Sequence, residues 1–183
     1  MTNTITANEL KTKGVSAIKK FTKEQEYGLL NRLDNDTGWF LYFAKNQESY
    51  KLYKEQQKKL AIQKMYLAQV HGSPFFKSNE KFITITTPIM HHRFDDQKMI
   101  VISDEKDKNQ WRWELHQLST TIELISYDRK KNRSLLRVMI YKGIRHQIRI
   151  HLKSIGAPIV GDKLYGPKPP ISDILHLRSI GMK

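Results

Sequence analysis

The 183-residue chain has no cysteine. No disulfide can brace it, and no zinc–thiolate site can form in it. Long apolar runs are also missing, since nothing approaches the ~18 residues that would span a bilayer. The first twenty residues, MTNTITANELKTKGVSAIKK, lack the continuous apolar core of a secretory signal. There is no Gly-rich phosphate loop, no Ser-centred nucleophile elbow, and no internal repeat or low-complexity tract. Histidines are few and badly spaced for a metal: His91 and His92 are adjacent, and His146 and His151 miss the i, i+4 spacing of a helical zinc pair. Acidic residues are scarce too, 18 Asp and Glu against 32 Lys and Arg.

What remains is a basic globular chain. Its length suits one domain with a core that needs no staples. A hydrophobic content of 39%, with three Trp, eight Tyr and seven Phe, argues against disorder despite 27% charged residues. The net charge of +14 and a pI near 9.9 point to a polyanionic partner, of which nucleic acid is the usual one. The plainer explanation is a lysine-rich composition with no partner behind it.

Residues 1–20 read as a basic arm, and residues 21–183 as a single catalytic or binding domain. Trp39 to Ala44, bounded by Gly38 and Asn46, reads as a strand buried on both faces. Gln47 to Leu60 has helical spacing, with a stripe through Tyr50, Tyr53, Gln57 and Leu60 beside a basic one through Lys51, Lys54 and Lys58. IQKMYLAQVHG alternates as a strand ended by Gly72, and FITITTPIM is a β-rich run broken by Pro88. Met99 to Gln117 reads as a loop with short strands. TTIELISYD and SLLRVMIY form hairpin arms around a basic tip, residues 129–133, with Leu136, Val138 and Ile140 inward. From Gly143 to Ile155 the period turns helical, with Ile144, Ile148, Leu152 and Ile155 on one face and Arg145 and Arg149 on another. Gly156 is the expected stop. The fold class expected from this pattern is α+β, a mixed and largely antiparallel sheet flanked by helices.

The residues themselves leave the chemistry open. Asp34 and Asp36 precede an apolar run, where a carboxylate held by a cation such as Arg149 can act as nucleophile or base. An Asp before Thr-Gly is more often simply a turn residue. Asp36-Thr37-Gly38 also spells the aspartic-protease triplet, with Ile159-Val160-Gly161 as a mimic of that family's later element. The polar NRLDN ahead of the triplet and the charge of +14 both argue against that reading.

Four segments in order carry a more specific resemblance. NRLDNDTGWFLYFAKN resembles the HRLD-x-x-T-S-G-L-L-x-x-A-K segment of RluA-type pseudouridine synthases. KMYLAQVHG is similar to their K-x-Y-x-A-x-V-x-G strand. GIRHQIRIHLKSIGAPIVGDKLYG is similar to G-R-T-H-Q-I-R-x-H-L-x-x-x-G-x-P-I-x-G-D-x-x-Y-G, and LHLRSIG to L-H-A-x-R-L. The resemblance implies an RNA pseudouridine synthase acting on rRNA or tRNA. In that enzyme the C1′–N1 bond of a uridine breaks, the uracil turns, and a C1′–C5 bond forms. It implies Asp34 as catalytic aspartate, Tyr66 as the ring that stacks on uracil, and Arg149 as the partner of Asp34. Arg32, Lys64, Arg145, His146 and Gln147 are the expected RNA-binding residues.

The resemblance also implies no cofactor, no metal, no membrane, a monomer, and a cytoplasmic location. No S4-like RNA-binding domain is recognisable in the chain. Three departures stand out: Asn31 replaces the usual His, Gly38-Trp39 replaces Ser-Gly, and Ile144 replaces an Arg. They motivate the alternative of a catalytically degenerate relative that only binds RNA, as a folding or ribosome-associated factor.

Overall fold

The computed structural model describes residues 21–34, 36–75, 80–92, 94–102 and 118–183. The basic arm expected over residues 1–20, and most of the loop expected over 99–117, lie outside the described residues. The chain folds around a six-stranded sheet of β1 (Gly38–Trp39), β2 (Lys64–His71), β3 (Phe82–Ile85), β6 (Thr120–Asp128), β7 (Arg133–Ile140) and β8 (Leu177–Met182). Their spatial order is β1-β8-β2-β7-β6-β3. β1 runs parallel to β8, and every other pairing in this sheet is antiparallel. A separate two-stranded ribbon pairs β4 (Ile89–His91) with β5 (Met99–Val101). Among the described residues the α-helices are α1 (Gln47–Lys58) and α2 (Gln147–Ser154). The architecture is the mixed, largely antiparallel α+β arrangement expected from the sequence.

The strands follow the alternation in the sequence. Along β2, Lys64, Tyr66, Ala68 and Val70 point inward, and β7 answers with Ser134, Leu136, Val138 and Ile140. Strand register enforces this, because a slip of one residue would turn each apolar set to the other face. The inner face meets α2 through Ile148 and Leu152, which join Ala68, Val70, Ile122, Leu136 and Val138 in the main core. On the opposite side of α2, Ile150 packs with Ile89 and Met99 of the ribbon and with Tyr165. The helix is thus wedged between two sheets, and Gln147 through Leu152 are all buried. Its C-terminus closes in a Schellman turn. Gly156, at φ +76°, donates to Lys153, and Ala157 donates to Leu152 at 3.0 Å.

Three local expectations are corrected. Residues 39–44 do not form a buried strand: only Gly38–Trp39 pair with β8, and Phe40 is 53% exposed. The segment instead folds back on residues 28–31, with Leu30 N–H donating to Tyr42 at 2.8 Å and an isolated bridge between Leu29 and Phe43. The second helix starts at Gln147 rather than Gly143, because His146 takes a left-handed conformation (φ +54°). Arg145 therefore lies outside the helix and shares no face with Arg149. The first helix stops at Lys58, two residues early, and Leu60 stands exposed at φ +55°. Its start is set by a reciprocal cap, in which Ser49 N–H donates to Asn46 Oδ1 while Asn46 N–H donates to Ser49 Oγ.

Candidate active site

A helix segment that is buried must give each polar side chain it carries a partner inside the protein. On α2 three polar side chains are buried, Gln147, Arg149 and His151, and each finds one. Gln147 Nε2 donates to Ser119 O at 3.0 Å and to Thr120 Oγ1, while its Oε1 accepts from Ile144 N–H. His151 Nε2 lies 2.9 Å from Thr87 O, which can only accept, so this nitrogen carries the proton. Nδ1 is then left to accept from Thr120 Oγ1 at 2.7 Å. Burial pushes the His151 pKa down, against the Thr87 hydrogen bond, and the ring is neutral.

The third is Arg149, 3% exposed. Its Nε and Nη2 grip Asp162 at 2.8 and 2.7 Å, a bidentate pairing of two buried charges. Asp162 Oδ1 also accepts from the backbone N–H groups of Leu164 and Tyr165, both at 2.9 Å. Burial works to raise the Asp162 pKa, but the guanidinium and these donors hold it below the usual carboxylate value. Burial likewise opposes the Arg149 charge, and Asp162 overcomes it. The turn that delivers Asp162 depends on Gly161, at φ +77°, where a Cβ would sit 1.9 Å from Ile174 O.

Asp34 completes the constellation from the opposite side. It sits in the turn before β1, closed by Thr37 N–H donating to Asp34 O at 2.9 Å. The Asp34 Oδ2 atom stands 3.7 Å from Arg149 Nη1, the guanidinium nitrogen that Asp162 leaves free, and 3.9 Å from His146 Nε2. His146 Nδ1 is 2.9 Å from Tyr165 Oη, which accepts from Met99 N–H at 2.7 Å. The Tyr165 hydroxyl can thus donate to His146 Nδ1. In that tautomer the neutral ring turns Nε2–H toward Asp34. Burial, the largest influence on His146, lowers its pKa and favours that neutral form, although the Asp34 charge pulls the other way. The Tyr165 ring also carries the Arg149 guanidinium on its face, 5.3 Å from the centroid.

Tyr66 lies at the middle of β2, where the pairing with β8 shifts register between Met65 and Tyr66. The extra residue, Ile180, lies on β8, while β2 keeps unbroken register with β7, where Tyr66 faces Val138. Burial first, then the Asp34 charge and Tyr53, push the Tyr66 hydroxyl up to about 12, so it stays a neutral phenol. All eight candidate residues, Arg32, Asp34, Lys64, Tyr66, Arg145, His146, Gln147 and Arg149, line one open cleft of about 950 Å3. They differ in availability. Arg32 is exposed, Arg145 reaches across to donate to Asp96 O at 2.8 Å, and Gln147 has spent its amide inside the protein.

Asp162 and Tyr165 were not singled out from the sequence. Their signal was an acid directly after a turn glycine, with an aromatic three residues on. Asn31, the first departure from the family pattern, does not line the cleft. It is a clamp: Asn31 Nδ2 donates to Phe40 O, and its Oδ1 accepts from Tyr42 N–H at 2.8 Å. Ile144, the third, packs against the cluster of Ile150 and Tyr165. Among the described residues no group of acids and histidines is placed to hold a metal, and no helix is long and apolar enough to cross a membrane.

Comparison with known proteins identifies the family. A family model described as RNA pseudouridylate synthase matches residues 3–154. An uncharacterized RNA pseudouridine synthase of Chloroflexus aurantiacus is 33% identical over 141 residues, 77% of this chain and 39% of that protein. The ribosomal large subunit pseudouridine synthase D of Zymomonas mobilis is 29% identical over 139 residues, 76% of this chain and 39% of that protein. The chain thus spans about two fifths of the length of these relatives. In fold it is similar to human RNA pseudouridylate synthase domain containing 1, with a TM-score of 0.69 at 20% identity over 84% of this chain and 62% of that one. A family match over most of the length, with the motif residues gathered in one cleft, means that the chain belongs to the RNA pseudouridine synthases of the RluA type.

Proposed function

We propose that this chain isomerises uridines in ribosomal or transfer RNA to pseudouridine, with Asp34 as the catalytic carboxylate. The observation that carries the reading is the convergence of Asp34, Arg149 and Tyr66, from three distant segments, on one cleft. A uridine within an RNA chain must leave its stack to be reached, and the neutral ring of Tyr66 replaces the stacking it loses. Asp34 then either attacks C1′ or removes the 2′ proton, and both routes use a carboxylate steadied by a cation. The C1′–N1 bond breaks, the uracil turns while held in the cleft, and C5 bonds to C1′. C5 releases its proton and N1 gains one, so nothing is oxidised and no cofactor is required.

The cleft is bordered by Arg32 and Arg145, which supply positive charge toward the phosphate backbone. His146 and Gln147 serve as positioning groups in this reading, the first beside Asp34 and the second inside the protein. Tritium release from RNA carrying 5-tritiated uridine tests the proposal, since C5 must lose its hydrogen. The expected result is release by the wild type and none by Asp34→Asn, with RNA binding retained. Release by the mutant would remove Asp34 from the reaction. Binding without release by the wild type would favour the RNA-binding alternative.

A further inference from the structure

Lys64 is an anomaly in this cleft. It opens β2, points inward, and is 7% exposed. A buried ammonium normally has an acid or several hydrogen-bond acceptors, because its desolvation is otherwise uncompensated. Among the described residues the Lys64 ammonium has neither a hydrogen bond nor an ion pair. The acid that acts on it electrostatically, Glu26, is already engaged by Lys54 at 3.6 Å. Lys54 adds a second positive charge nearby, and burial together with Lys54 disfavours the Lys64 charge. The side chain is not sealed off, however. The fully enclosed side-chain polar atom without a partner among the described residues is Arg133 Nε, whereas Lys64 opens into the cleft beside Tyr66.

Lys64 and Tyr66 are two residues apart on one strand, so their side chains leave the same face about 7 Å apart. That is comparable with the reach of a nucleotide from its base to its own phosphate. A uracil carbonyl at this position would leave the ammonium buried without a counterion, whereas a phosphodiester would supply one. We infer that the Lys64 end of the cleft is a phosphate subsite, in which the ammonium pairs with a phosphodiester group flanking the nucleotide held on Tyr66. Lys54 stands at the edge of this subsite and shares the anion by turning from Glu26. The inference rests on the uridine reading of the cleft and adds a specific contact to it.

The test compares uridine with uridine 5′-monophosphate and uridine 3′-monophosphate as probes, titrated into the full chain and followed by NMR, for the wild type and Lys64→Met. The wild type should bind one of the two monophosphates about tenfold more tightly than uridine, the scale of one charge-assisted contact. In Lys64→Met that monophosphate should fall to the affinity of uridine, while uridine itself is unaffected. The variant should melt no lower than the wild type, because an apolar side chain replaces an unpaired buried charge. An unchanged preference for phosphate in the variant overturns the subsite. Equal weakening of uridine and monophosphate also overturns it, by assigning Lys64 to the base. If no probe perturbs the Asp34 and Tyr66 resonances, the uridine reading fails and the subsite falls with it.

Discussion

Arg149 holds Asp162 with two of its nitrogens and faces Asp34 with the third, 3.7 Å away. The two carboxylates thus play different parts with one cation. Asp162, 1% exposed, fixes the guanidinium in the core. Asp34, partly exposed at the cleft, receives the charge that remains directed outward. The arrangement explains how an arginine can be both buried and available.

Removing the Asp162 charge should therefore disable the site without touching it. Asp162→Ala leaves a buried guanidinium uncompensated, which costs about 3–5 kcal/mol. Asp162→Asn keeps part of the hydrogen bonding and should fold, but with Arg149 less firmly held. The expected signature in Asp162→Asn is a fall in kcat for tritium release with little change in KM. Unchanged kcat in a folded Asp162→Asn protein would mean that Arg149 positions itself.

Tyr66 invites a pair of substitutions. If its ring stacks on uracil, Tyr66→Phe keeps the stacking surface and RNA affinity should hold. Tyr66→Ala should lose about 1–3 kcal/mol of binding, the usual worth of one base–aromatic stack. Equal affinities for wild type and Tyr66→Ala, measured by fluorescence anisotropy on the same RNA, would place the base elsewhere.

Much of this site was legible from motif and period. Tyr66 falls on the inward face of an alternating strand, whereas the helical period set Arg149 on a face apart from the apolar one, and the motif alone marked it. The Asp34 loop was less legible. An apolar run such as WFLYFA satisfies strand and loop alike, and the choice was made by Asn31, whose amide takes the backbone partners that a strand neighbour would have taken. The start of α2 was hidden for a similar reason. His146 adopts φ +54°, and no hydrophobic period records a tertiary constraint on one residue. β8 went unrecognised because LRSIGM is short and mixed in polarity. Its pairing with β2 and β1 comes from the far end of the chain.

The Asn31 clamp makes its own prediction. Asn31 is 3% exposed, and Asn31→Ala removes the side-chain acceptor of the part-buried Tyr42 N–H together with the amide donor to Phe40 O. The unsatisfied Tyr42 N–H costs about 1–3 kcal/mol. A clear fall in melting temperature should follow, along with slower tritium release, because the same loop carries Asp34. Asn31→Asp should recover part of the stability, since its oxygen still accepts from Tyr42 N–H. A melting temperature for Asn31→Ala equal to that of the wild type would show that the clamp is dispensable.

Acid should loosen the fold before it reaches the carboxylate range. Burial is the first cause lowering the pKa of His151, and it does the same for His146, His71 and His176. For a histidine with a folded-state pKa below its unfolded value of 6.5, the unfolded chain binds the extra proton first as pH falls. The stability these groups confer is therefore complete above pH about 6.5 and declines below it, toward the folded-state pKa. Asp162 adds a separate loss at lower pH. Its folded pKa lies below 3.8, so its contribution is present above that value and disappears as pH drops through the folded one. Melting temperatures recorded from pH 8 to pH 5 should show the histidine-dependent decline. His151→Gln, which can keep one hydrogen bond but cannot titrate, should start lower at pH 8 and fall less steeply. A slope identical to that of the wild type would remove His151 from the acid response and shift it to the other three histidines.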